Sequence, residues 1–347
     1  MKSWAVQSAI LLGILFVVIL GSLCFGTVYI SVPEIVKTMF WPSSENVDPA
    51  NYNILWLRLQ RIVFGLFVGG GLAASGAGYQ GLFRNPLADP YVIGASSGAA
   101  LGATVAIVLD LQWDLPWQYG GLQPVPWFAM IGALGAVAIV YGIASTNRGI
   151  GMGGQTPTMS LLLAGVAVSS FASALVSLLM FVNSDSLAKI FAWLLGSLAE
   201  KEWIELGGTA PLIILGVIVI WSSSRALDAL TFGEETASSM GIHLHTLRGV
   251  VVVAASLTTA ACVATSGLIG FVGLVAPHAA RLLVGPRHTR LIPASCVIGA
   301  ILLLLADDLA RGITIEPLPV GVVAALLGAP FFLYLLKTAG TGFGGRE

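Results

Sequence analysis

The sequence predicts an all-α, polytopic membrane protein with about ten transmembrane helices, folded as a single transmembrane domain over residues 1–347. Three observations carry this. Hydrophobic residues make up 56% of the chain and charged residues only 10%, where a soluble domain carries about a quarter charged; the mean hydropathy is +0.91. Apolar runs of about 20 residues, the length that crosses the hydrocarbon core at a rise of about 1.5 Å per residue, recur along the chain. Many of the 42 glycines lie inside those runs, where small residues let helix backbones approach closely.

The runs lie near residues 5–30, 62–82, 91–109, 127–145, 159–182, 206–222, 249–266, 268–284, 292–309 and 319–336. The first follows Lys2 and is apolar through Leu20, like a secretory signal, but no small-x-small site follows it. Leu23 also stands where a lipoprotein signal ending at Cys24 needs a small residue, so the run reads as a retained first span, with a signal anchor as the alternative. The second run carries Gly69, Gly70, Gly71, Gly76 and Gly78; the third carries Gly94, Ser96, Ser97, Gly98 and Gly102, a thin and slightly polar helix suited to the bundle interior. Ser169, Ser170 and Ser173 in the fifth either line a path or pack against a neighbour. The segment 187–198 is too short to cross and reads as an interfacial or re-entrant helix leading into the sixth span. Five spans in each half agree with an inverted repeat.

Orientation follows from the basic residues of alternate loops. Lys2, Arg84, Arg148, Arg225, Arg248, Arg281, Arg287, Arg290, Lys337 and Arg346 fall on one side; Lys37, Arg58, Arg61, Lys189, Lys201 and Arg311 fall on the other. The richer side is the cytoplasm, which places both termini there. Most acidic residues, Asp110, Asp307 and Asp308 among them, fall outside.

Several function classes are excluded or disfavoured. A net charge of -1 leaves no basic excess for nucleic acid. Cys24, Cys262 and Cys296 are far apart and lack zinc or redox spacing. No charged residue falls at the middle of a proposed span, which weighs against a proton-coupled carrier. His243, His245, His278 and His288 all map to the cytoplasmic side, so no metal or haem ligand cluster lies on a mid-membrane path. The chain has no Gly-Lys pair and therefore no phosphate-cradling loop of the G-x-x-x-x-G-K-[ST] type. Any ATP-driven step needs a separate ATPase, and the chain is not itself an enzyme.

Three polar constellations remain. After the second run comes Arg84-Asn85-Pro86-Leu87-Ala88-Asp89-Pro90, whose two prolines forbid a continuous helix and fix a rigid turn. On spacing alone this is a stiff connector. The segment 231–248 is the second: Thr231 can cap a helix start, Glu234 and Glu235 then occupy a first turn where carboxylates suit the positive end, and Gly241 suits a left-handed stop. It predicts a short helix, a break and a second short helix. The third is a set of outer arginines, Arg58 and Arg61 on one helical face and Arg311 after Asp307 and Asp308. They either snorkel and pair with those acids or meet a partner.

The stretch 57–102, with its arginines, Gly-rich helix and Asn-Pro-Leu-Ala-Asp-Pro turn in that order, resembles the FecCD/BtuC-like permease family of type II ABC importers for iron-siderophore, haem and cobalamin. Gly233-Glu234-Glu235 with Ala237 and Gly241, then GFVGLVAPHAAR at 270–281, Pro319-Val320-Gly321 and Gly328-Ala329-Pro330-Phe331 extend the resemblance over nearly the whole chain. It implies the type II permease fold and a permease subunit importing a metal chelate such as an iron(III)-siderophore, with haem or cobalamin as other cargo. It also implies ATPase coupling through Glu234, Glu235, Ala237 and Gly241, a cytoplasmic gate loop at Asn85, Pro86 and Leu87, and binding-protein docking through Arg58, Arg61 and Arg311. The implied partners are a cytoplasmic ABC ATPase that holds ATP and Mg, a periplasmic or lipid-anchored substrate-binding protein, a second permease copy forming a homodimer, and lipid of the bacterial inner membrane. The chain itself would hold no cofactor. The competing reading is a secondary transporter driven by an ion gradient.

Overall fold

A computed structural model describes residues 4–26, 28–40, 49–111, 123–146, 157–199, 201, 203–313 and 317–342. Arg148, Lys2 and Arg346, used in the charge count, lie outside the described residues. The helices are α1 (Trp4–Cys24), α2 (Val32–Phe40), α3 (Pro49–Phe83), α4 (Ala95–Val108), α5 (Pro124–Thr146), α6 (Pro157–Val182), α7 (Leu187–Leu194), α8 (Trp203–Ser222), α9 (Ser224–Leu230), α10 (Glu234–Ser239), α11 (Leu244–Ser266), α12 (Val272–Val284), α13 (His288–Gly312) and α14 (Val320–Gly342). Among the described residues there is no strand. Among the described residues seven helices are long and apolar enough to cross a membrane, and α4, α12 and the first part of α14 are shorter apolar helices at three further positions where spans are expected. Most boundaries shift by a few residues, and the start of the second run shifts farthest. The first helix ends at Cys24 rather than near residue 30, and the second starts at Pro49 rather than 62, so that α3 has 35 residues and rises about 52 Å, well beyond a hydrocarbon core of about 30 Å.

Two helices form the interior. The apolar windows of α3 and α11 are 83% and 72% buried, against 17% for α1 and 28% for α6, which face outward. Glycine explains how α3 holds the centre. A Cβ placed on Gly69 would lie 2.5 Å from the Gly299 carbonyl of α13, and one on Gly76 only 1.7 Å from the Gly273 carbonyl of α12. Van der Waals packing drives helix association in lipid, and it strengthens when backbones come this close. Prolines set the carbonyls. Pro277 has no N–H to offer residue 273, so the Gly273 carbonyl is released from its helix and turned toward α3.

The two halves repeat an order. A long helix (α3, α11), an irregular stretch (84–94, 267–271), a short helix (α4, α12) and two further helices (α5 and α6, α13 and α14) follow one another in each. Both short helices open from a left-handed residue, Gly94 at φ 85 and Phe271 at φ 67. Four crossings, α4, α5, α6 and α8, lie between α3 and α11, so the second long helix traverses in the opposite sense, as an inverted repeat requires. The two irregular stretches meet inside the protein, where the Tyr91 hydroxyl donates to the Ile269 carbonyl at 2.9 Å. Non-helical backbone at membrane depth is tolerated only in such protein-buried positions. The segment 187–198 becomes the short helix α7 followed by a turn at Gly196, where a Cβ would lie 2.4 Å from the Leu268 carbonyl, so it reaches the same junction.

Candidate functional site

The α9–α10 arm lies against the end of the bundle where α3 stops and α11 and α13 begin. It differs from the expected helix–break–helix. Thr231 is not an N-cap: its hydroxyl donates to the Asp228 carbonyl at 2.6 Å and closes the end of α9. The position before α10 is taken by Gly233 at φ 110, a conformation that a side chain would strain. The stop at Gly241 is as expected, with φ 84 and its N–H donating to the Ser238 carbonyl at 2.9 Å. No second short helix follows, because His243 leads directly into the long α11.

Ion pairs and burial hold the arm in place. Glu234, in the first turn of α10, pairs with Arg248 of α11 at 2.6 Å and with Arg84 of the 84–94 stretch at 3.7 Å. Ala237 is fully buried, and its carbonyl accepts the Ile242 N–H at 3.1 Å. Glu235, Phe232 and Met240 are exposed.

The turn at Asn85, Pro86 and Leu87 lies exposed beside the arm and is built by its own side chains. The Asn85 Oδ1 accepts the Leu87 N–H at 2.9 Å and the Asp89 Oδ1 accepts the Tyr91 N–H at 2.8 Å, two Asx turns in seven residues. Beyond it Ala88 and Pro90 are buried, with Pro90 seated on Gly273. The turn therefore touches the arm through Arg84 and the centre of the bundle through Pro90.

Arg58, Arg61 and Arg311 come together at the opposite end, but facing inward. Arg58 donates to the Leu23 and Cys24 carbonyls at 2.6 and 3.1 Å and also to the Val28 carbonyl, so it caps α1, whose last carbonyls have no helical partner. Arg61 pairs with Asp307 at 3.2 Å. Arg311 pairs with Asp307 at 3.0 Å and with Asp308, which in turn accepts the Ser22 hydroxyl at 2.6 Å. Arg58 is 5% exposed, Arg311 6% and Asp307 1%, so these groups tie α1, α3 and α13 to one another. Of the two readings of these arginines, the pairing with Asp307 and Asp308 is the arrangement seen for Arg61 and Arg311. A guanidinium out of water needs carboxylates or carbonyls at once, and the fold supplies them from its own chain.

Of the serines, Ser169 bonds Ser97 at 3.1 Å and joins α6 to α4, whereas Ser170 and Ser173 are exposed. An open apolar groove of about 360 Å³ runs between α12, α13 and α14, with Phe271, Val275, Leu302, Leu327 and Phe331 on its walls. Among the described residues no three His, Cys, Asp or Glu side chains gather as a metal site.

One pairing escaped the sequence reading, which placed His288 on the cytoplasmic side without a partner. Asp228 and His288, 60 positions apart, form a pair at 2.7 Å at the base of the arm. Their separation gives no local signal.

Comparison with known proteins places this arrangement. A sequence model of the FecCD transport family matches residues 14–338. The chain is 43% identical over 281 residues to the cobalamin import system permease protein BtuC of Halobacterium salinarum, covering 81% of this chain and 72% of that protein. It is 34% identical to the hemin transport system permease protein HmuU of Yersinia pestis, covering 95% and 96%. Among solved structures, an inward-facing conformation of a metal-chelate type ABC transporter superposes with a TM-score of 0.81 at 32% identity, covering 96% of this chain and 99% of that one.

Proposed function

The chain belongs to the FecCD transport family, the permeases of type II ABC importers, and we propose that its α9–α10 arm is where a separate cytoplasmic ATPase drives uptake of an iron(III)-siderophore or a similar metal chelate, haem or cobalamin. The observation that carries this reading is Glu234. One carboxylate binds α10 to Arg84 and to Arg248, so a displacement of the arm reaches the α3–α4 turn and α11 together. Phe232 and Met240, exposed on the arm, are apolar surface of the kind that a partner's groove covers. ATP and Mg belong to that partner. The permease works as a homodimer in the bacterial inner membrane with both termini cytoplasmic, and a substrate-binding protein delivers cargo at the far face.

The mechanism needs no charged group of this chain in the cargo path. ATP closing the two ATPase subunits moves the arms, and the Asn85, Pro86 and Leu87 turn, linked to the arm through Arg84, opens or shuts the cytoplasmic end. The apolar α12–α14 groove suits packing against another apolar surface. A secondary transporter is the competing reading. Vesicles holding the permease, ATPase and binding protein separate the two: uptake persists when ion gradients are collapsed and stops without ATP. Uptake that follows the gradient and ignores ATP refutes the proposal.

A further inference from the structure

The first turn of α13 is held from three sides, and each hold has a physical cause. Asp228, the fifth residue of α9, accepts the His288 backbone N–H at 2.8 Å and the ring Nδ1–H at 2.7 Å with the same oxygen. The first N–H groups of a helix have no partner within it, so the carboxylate caps α13 from a different helix and also suits its positive end. His288 is 3% exposed, and its Nε2 edge lies against Gly81 of α3, where a Cβ would come within 2.4 Å of it. Pro293 has no N–H for residue 289, and the Trp221 Nε1–H donates to the Thr289 carbonyl at 3.1 Å in its place.

The same Asp228 forms the elbow of the arm. Its own carbonyl accepts both the Thr231 hydroxyl and the Thr231 N–H, closing the turn between α9 and α10. One residue therefore shapes the arm with its backbone and grips α13 with its side chain. About 28 Å farther along α13, at the helical rise of about 1.5 Å per residue, Asp307 and Asp308 hold Arg61 of α3, Arg311 and Ser22 of α1.

We propose that Asp228 and His288 are a positioning pair that fastens the α9–α10 arm to α13, and that α13 carries the arm's displacement to the far end of the bundle. This rests on the importer reading above and adds to it a second route, separate from the Glu234 link to α11. A pair serving only to hold the fold together would alter stability and leave the work obtained per ATP untouched.

The test uses the complete importer in proteoliposomes, with its ATPase and binding protein, and reads ATP hydrolysed and cargo accumulated in the same vesicles. ATP-dependent uptake by the wild type secures the importer reading independently of the pair. Asp228→Ala removes both accepted hydrogen bonds; cargo moved per ATP is expected to fall roughly five- to tenfold, while hydrolysis continues. Asp228→Asn keeps an oxygen able to accept both bonds and is expected to stay within about twofold of the wild type, which also guards against a folding defect in the alanine variant. An unchanged ratio in Asp228→Ala, or hydrolysis and uptake falling in step in both variants, overturns the proposal.

Discussion

Asp307 offers a sharp test of how the far end is held. Its carboxylate is 1% exposed and lies 3.2 Å from Arg61 and 3.0 Å from Arg311. Asp307→Asn keeps the shape and removes the charge, leaving two guanidiniums to face each other across an amide. Breaking a buried pair by neutralising one partner costs about 3–5 kcal/mol. Arg61 retains some exposure and Arg311 retains Asp308, so the lower part of that range, about 3 kcal/mol, is expected. The measurement is SDS-titrated unfolding of the purified permease in mixed micelles. The double variant Arg61→Gln with Asp307→Asn should be less damaged than the sum of the single changes, by about 1–2 kcal/mol, since neighbours in one network do not add. A loss below about 0.5 kcal/mol for Asp307→Asn, in the range of an exposed surface pair, would refute the internal clamp.

Three other outcomes follow from the geometry. Glu234→Lys sets like charges beside Arg84 and Arg248; uptake should drop at least about tenfold, and Arg248→Glu in the same chain should restore part of it in the vesicle assay, whereas wild-type uptake by Glu234→Lys sinks the arm as the coupling element. Gly76→Val forces a side chain into the Gly273 carbonyl and should cost more than about 3 kcal/mol of stability or abolish folded yield, read by size-exclusion chromatography, because α3 cannot withdraw without also leaving α13 at Gly69. Gly241→Ala meets open space but a left-handed backbone, so about 1 kcal/mol of local stability should be lost, visible as faster hydrogen exchange confined to the arm.

Parts of the candidate site were legible in the sequence. The Asn85 turn and the Gly241 stop are local, since an Asx turn or a left-handed stop is made by residues within a few positions of one another. Thr231 was misread because a hydroxyl next to a helix can serve the helix behind it as well as the one ahead, and Gly233 had already taken the position before α10. For Arg61 and Arg311 pairing with Asp307 and Asp308 is one of the two readings the sequence allows, whereas the place of Arg58 at the end of α1 has no sequence signal. A solvated arginine and one capping α1 have the same flanking sequence.

By itself the sequence determined the all-α, many-spanning architecture, the Gly-rich helix that packs at the centre and the positions of the 84–90 turn and the Gly241 stop. Transfer of an apolar run into lipid depends on that run alone, and a tight turn depends on its own few residues. The tertiary structure decided which carboxylate each arginine holds, where the carbonyls freed by Pro277 and Pro293 point, and that Asp228 reaches His288. Those are contacts between residues distant along the chain, and their energy comes from the burial and close approach that only the packed helices create.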